Sequence, residues 1–210
     1  MSPDVEIGVF GGSFDPPHLG HLIVARDAME FLKLDRILLV PARRSPFKGE
    51  QDTTTSAEVR AALCEAAVEG VAGFAVWRGE LDRPAPSFTV DTLESMDQPD
   101  CRVTLLVGAD TWAHFHRWDR PRRILDLARV GVLARGGYDG PEDPGGDGPW
   151  PCVRVPVRQI EISSTEIRGR VRDGRSIRFL VPDAVRQIIE QQLLYGGGTG
   201  AVAGTGARSS

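Results

Sequence analysis

Six short apolar runs separated by helical patterns constrain this chain more than any other feature. Val5–Phe10, Ile37–Val40, Phe74–Trp77, Val103–Val107, Val130–Leu133 and Val153–Val157 all read as strands. Ile37–Val40 is apolar throughout and stops at Pro41, as suits a strand buried on both faces of a sheet. Between the runs, Leu19–Leu32 places Leu22, Ala25, Met29 and Leu32 on one helical face. Ser56–Glu69 has Ser56 as N-cap and gathers Val59, Ala62, Leu63, Ala66 and Ala67 on one side. Thr89–Met96, Ala109–Trp118, Arg122–Leu127 behind Pro121, Ser164–Arg172 and Asp183–Leu194 complete the helices. Strands alternating with helices of this length predict βαβ units. The expected fold is α/β, a doubly wound parallel sheet with a small C-terminal helical part.

Length and charge narrow the functional classes. The 210 residues, 41% hydrophobic, suffice for one domain with a sizeable core, expected over 1–195. The balance of 25 basic against 29 acidic residues gives a net charge of −4, which disfavours a nucleic-acid partner held by phosphate contacts. No apolar run approaches the roughly 20 residues that span a bilayer, and the N-terminus lacks the pattern of a secretory signal. Neither a membrane nor a nucleic-acid partner is expected; the oligomeric state stays open. Cys64, Cys101 and Cys152 form no CxxC pair, which favours a reducing compartment and a cytoplasmic location. Half of the 24 glycines lie in 136–149 and 196–210. We read 136–150 as a flexible loop and 196–210 as a disordered tail. Arginine supplies 23 of the 25 basic residues, so Lys33 and Lys48 stand out.

The segment with most chemistry is Gly11-Gly12-Ser13-Phe14-Asp15-Pro16-Pro17-His18-Leu19-Gly20-His21, between the first strand and the first helix. Open α/β sheets bind ligands at such a position, glycines admit an anion to the backbone, and helix N-termini offer unpaired N–H groups. The spacing matches neither GxGxxG nor a Walker P-loop. His18 and His21 share one helical face. They could donate to phosphate oxygens, contribute to a metal site with Asp15, or simply cap and pack; the pair alone leaves these readings open.

GGSFDPPHLGH resembles the GGxFDPxHxGH signature of the nucleotidylyltransferase superfamily, and more narrowly that of bacterial nicotinate-mononucleotide adenylyltransferases. Further segments agree in order along residues 5–195. Ile162-Ser163-Ser164-Thr165-Glu166-Ile167-Arg168 resembles the family's ISSTxIR motif; its plain reading is a helix with a Ser163/Glu166 capping box. Ser87-Phe88-Thr89-Val90-Asp91-Thr92-Leu93 resembles S-[FY]-T-x-D-T-L, where Thr89 and Asp91 could also be caps. Gly108-Ala109-Asp110 resembles GxD, with Asp110 either a ribose ligand or a cap. The string Gly174–Pro182 is similar to the family's C-terminal G-x-S-I-R-[YF]-L-V-P segment.

The resemblance implies a Rossmann-like nucleotidyltransferase fold and transfer of AMP from ATP to nicotinate mononucleotide, yielding deamido-NAD and pyrophosphate. It implies His18, His21 and Arg168 as catalytic residues. Gly11, Gly12, Ser13, Phe14, Gly108 and Asp110 would contact ATP, together with Arg135, Ser164, Thr165 and the catalytic trio. Ser13, Lys48, Thr89, Asp91 and Trp118 would contact the mononucleotide, Trp118 by stacking on the pyridine ring. His18, His21, Lys48, Arg168 and helix N-termini would supply positive potential. No protein metal site is implied; Mg²⁺ would accompany ATP. Asp119 departs from the aromatic residue usual after this Trp and is expected to point away from the ring carboxylate. Nicotinamide mononucleotide or phosphopantetheine as substrate, or a non-catalytic nucleotide sensor, are the alternatives.

Overall fold

Each of the six apolar runs is a strand of one parallel sheet. In the computed structural model, which describes residues 5–44, 54–97, 100–135 and 143–196 and only the backbone of residue 135, these are β1 (Val5–Gly12), β2 (Arg36–Pro41), β3 (Phe74–Val76), β4 (Cys101–Gly108), β5 (Arg129–Arg135) and β6 (Val153–Val157). Their order is β3-β2-β1-β4-β5-β6, with Val9 paired to Leu38 on one side and Leu105 on the other. The order therefore reverses between β1 and β4, and a crevice opens beyond their carboxyl ends at Gly12 and Gly108.

Among the described residues, seven α-helices cover the sheet: α1 (Leu19–Leu32), α2 (Ala57–Val68), α3 (Thr89–Met96), α4 (Ala109–Trp112), α5 (Pro121–Leu127), α6 (Ser164–Arg172) and α7 (Asp183–Gln191). Successive strand residues point to opposite faces and feed two cores. Leu106 and Leu39 join Ala25, Leu63, Ile167 and Val185 in the first. Leu105 and Val9 join Val90, Trp112, Phe115 and Ile124 in the second. The parallel sheet with helices on both faces and a C-terminal helical pair follows the sequence expectation.

Two local expectations change. The helix predicted over Ala109–Trp118 breaks after Trp112 and continues as a short 3₁₀ turn, Phe115–Arg117. Trp112, Phe115 and Trp118 recur every third residue, a period that suits 3₁₀ rather than α geometry. The buried side of α2 is Arg60, Ala61, Leu63, Cys64, Ala67 and Val68, rotated from the predicted stripe. Of the predicted loop, residues 143–150 are described and 136–142 are not; residues 197–210 of the predicted tail also lie outside the described residues. No described helix is long and apolar enough to cross a membrane.

Candidate active site

The loop after β1 is held by its carbonyls. Arg60, only 1% exposed, donates to Ser13 O at 2.7 Å and Arg43 O at 3.0 Å. Arg168 donates to Asp15 O at 2.8 Å, and Ser164 Oγ to Pro16 O at 2.8 Å. Between these anchors Phe14 takes a left-handed backbone (φ 49°), uncommon for an aromatic residue, and buries its ring edge-on to Phe10 and His21. The Asp15 carboxylate, also 1% exposed, accepts from Thr54 N, the Thr54 and Thr55 hydroxyls and the Tyr195 hydroxyl. Burial beside that carboxylate pushes the Tyr195 phenol upward, so the hydroxyl keeps its proton and donates it. Asp15 is thus saturated by neutral donors rather than free to join a metal site.

His18 and His21 form a reciprocal cap at the start of α1. His21 N–H donates to His18 Nδ1 at 3.3 Å and His18 N–H donates to His21 Nδ1 at 3.2 Å, with the rings stacked at 3.6 Å. A nitrogen that accepts cannot hold the proton, so each neutral ring carries its hydrogen on Nε2. Capping therefore fixes the Nε2–H tautomer on two rings that line one cavity. Burial lowers the His18 pKa to about 4. His18 is consequently a neutral donor near pH 7, which corrects the expectation that it adds positive potential. Gly20 lets α1 pack closely here: a Cβ would lie 3.0 Å from His18 Nδ1.

Two cavities meet at this loop. The first, about 750 Å³, has His18, His21, Asp110, Ser164, Thr165 and Arg168 among its walls. The second, about 390 Å³, has Gly11, Gly12, Thr89, Thr92, Trp118 and Asp119. Phe10, Ser13 and Gly108 line both. A Cβ added at Gly11 or Gly108 would meet nothing within 4 Å, so these glycines leave open space for a ligand. A Cβ at Gly12 would instead press on the Phe14 ring at 3.0 Å.

The structure brings most of the sequence-nominated residues to these walls, with some reassigned. Phe14 lines the first cavity and Ser13 both, whereas Gly11 and Gly12, nominated with them for ATP, line the second. Asp110 is exposed in the first turn of α4, whose N-cap is Gly108. Thr89 opens α3, whose N-cap Phe88 makes no side-chain cap, so neither Thr89 nor Asp91 is that cap. Asp91 turns to Arg120 instead of a cavity, and Arg120 also holds Glu94 and Asp119. Asp119, expected to point away, does line the second cavity, with its carboxylate tied to Arg120 Nε at 2.9 Å. Ser163 caps α6 through Glu166 N at 3.1 Å, while the Glu166 carboxylate faces Arg170 rather than closing the predicted box. Lys48 and the side chain of Arg135 lie outside the described residues.

Sequence reasoning missed Arg60, Asp15 as an anchor, Tyr195 and Glu80. Arg60 left a signal: it is spaced i, i+3, i+4, i+7 with Leu63, Cys64 and Ala67, a lone charge on an apolar face. Glu80 is buried in the second cavity wall, accepts from Thr92 Oγ1 at 2.6 Å, and burial raises its pKa. Nothing in its sequence surroundings marks that burial.

A family model described as cytidylyltransferase-like matches residues 9–170. A Gemmatimonas aurantiaca protein named "Probable nicotinate-nucleotide adenylyltransferase" is 46% identical over 197 residues, covering 91% of this chain and 92% of its own. A Thermus thermophilus protein of the same name is 43% identical over 193 residues, covering 91% of this chain and 100% of its own. Among solved structures, the Plasmodium falciparum nicotinic acid mononucleotide adenylyltransferase complexed with NaAD shares the fold, with a TM-score of 0.72 at 17% identity over 92% of this chain and 98% of that one.

Proposed function

This chain belongs to the cytidylyltransferase-like family, among its nicotinate-nucleotide adenylyltransferases, and from that premise we propose how its two cavities work. The enzyme transfers AMP from ATP to nicotinate mononucleotide, forming deamido-NAD and pyrophosphate. ATP occupies the larger cavity and the mononucleotide the smaller, and the reacting groups meet where Ser13 and Gly108 line both. That shared wall is the observation that carries the reading. A 5′-phosphate oxygen of the mononucleotide attacks the α-phosphorus of ATP in line. The new P–O bond forms as the bond to the pyrophosphate oxygen breaks, and the leaving group carries away the electron pair.

Such chemistry needs positioning and charge stabilisation more than covalent participation. The Nε2–H groups of His18 and His21 donate to oxygens that gain charge in the transition state. Arg168, at the cavity wall and braced against Asp15 O, adds a fixed cation. The N-termini of α1 and α6 add the positive ends of their helix dipoles. Mg²⁺ would come with the ATP substrate and offset phosphate charge, and the saturated Asp15 carboxylate would not be its ligand. Thr89 and Trp118 line the space for the pyridine nucleotide. We further infer a cytoplasmic location, where the unpaired Cys64, Cys101 and Cys152 stay reduced.

Release of pyrophosphate from ATP tests the reaction directly. Nicotinate mononucleotide should support it with higher kcat/KM than nicotinamide mononucleotide, and phosphopantetheine should not support it. Preference for the amide, or nucleotide binding without turnover as a sensor would show, overturns the assignment. His21→Ala should lower kcat by about 10²-fold or more, the scale of a lost transition-state donor. Near-normal turnover in a folded variant would remove His21 from catalysis.

A further inference from the structure

The Gly- and Pro-rich segment before β6 has no part in the chemistry described above, yet its described portion is firmly built. Gly145 and Gly146, with φ of 76° and 77°, turn the chain back on itself. Gly146 passes so close to His116 that a Cβ would lie 3.2 Å from the histidine Cβ. Trp150 Nε1 then donates to Gly145 O at 2.7 Å and closes the turn. Arg122, in the first turn of α5, lies 4.5 Å over the Trp150 ring and donates to the carbonyls of Asp147 and Pro149. One cation thereby clamps both the ring and the backbone that carries it.

The ring so fixed reaches the second cavity through a single intermediary. Trp150 meets Phe115 edge-on, with centroids 5.6 Å apart at 81°. Phe115 is fully buried, stacks on Trp112 at 4.9 Å and tilts against Trp118 at 5.4 Å. Trp118 lines the second cavity. Phe115 is therefore confined between Trp112 and Trp150 while it supports the indole that faces the ligand space. Close-packed side chains transmit displacement because no void absorbs it.

We propose that Trp150 is a positioning residue that acts through Phe115 to set the Trp118 indole at the mononucleotide cavity. The segment from Asp143 to Trp150 is a brace for that wall. Trp150 touches no substrate, and its effect falls on mononucleotide binding because Trp118 lines the second cavity alone. The proposal rests on placing the mononucleotide there.

Steady-state kinetics of Trp150→Leu and Trp150→Phe provide the test. Trp150→Leu should raise KM for nicotinate mononucleotide about three- to tenfold, the scale of one lost aromatic pair, with KM for ATP within about twofold. Trp150→Phe, which keeps an edge toward Phe115, should recover most of that loss. Equal rises in both KM values, or no rise, overturn the proposal. Should Trp150→Leu lose its cooperative melt, Arg122→Gln removes the exposed clamp while keeping every ring and must show the same one-sided shift. Wild-type turnover of nicotinate mononucleotide, measured alongside, tests the reaction separately. A substrate-free arm completes the separation: near-ultraviolet circular dichroism of Trp118→Phe, Trp150→Leu and the double variant. Non-additive spectra support coupling of the two indoles through Phe115; additive spectra overturn it.

Discussion

The His18 ring performs two tasks that constrain each other. It accepts the His21 amide at Nδ1, and it is only 6% exposed, with burial lowering its pKa to about 4. In the unfolded chain the same ring would titrate near 6.5. Between pH 6.5 and 4 the unfolded state therefore binds more protons than the folded one, and stability falls as pH falls through that window. Below about pH 4 the loss levels off, having reached up to about 3 kcal/mol from this residue. His18→Asn keeps an N-cap without a titrating group. Denaturant unfolding at pH 7 and pH 4.5 should show a smaller difference for the variant than for the wild type. Equal pH dependence would mean that His18 is not held neutral by the fold. The three-residue spacing of His18 and His21 predicted their shared face. The neutrality of His18 was not legible, because desolvation depends on what folding buries around its ring.

At the scale of elements, α2 shows how a helix far from substrate shapes the loop that touches it. Arg60 spans from α2 to the carbonyls of Ser13 and Arg43, and burial presses its pKa down against the opposing field of Asp15. Replacing it strands two carbonyls and an uncompensated carboxylate. Arg60→Met should therefore cost about 2–5 kcal/mol of unfolding free energy despite its similar length and greater apolarity. Chemical denaturation measures this, and a loss below about 0.5 kcal/mol would assign the guanidinium no structural part. Element boundaries were highly legible. Leu19–Leu32, Thr89–Met96 and Ser164–Arg172 match α1, α3 and α6, because periodicity and caps are local properties. The helix over Ala109–Trp118 failed for a tertiary reason: Trp112, Phe115 and Trp118 had to enter one core together. Which side of α2 is buried also depended on its neighbours, since alanines populate most of its circumference.

Across the whole molecule, reversal of strand order between β1 and β4 opens one crevice, and Phe10, Ser13 and Gly108 at the ends of those strands form the common wall of its two cavities. A dinucleotide that spans them must exclude both substrates. Deamido-NAD should accordingly compete with ATP and with nicotinate mononucleotide at subsaturating cosubstrate. Competition with only one of them would show that the cavities are not jointly occupied. The sequence by itself determined the parallel sheet, the Ser56 and Ser163 caps and the residues of the β1–α1 loop and of α6. Those features depend on strand alternation, helical period and short motifs, all carried by neighbouring residues. Only the tertiary structure decided that Arg60, Thr54, Thr55 and Tyr195 anchor that loop, that His18 is neutral, and that Trp150 stands behind Trp118. Each of these depends on burial and on partners brought from distant parts of the chain, and no local pattern encodes the solvent that folding removes.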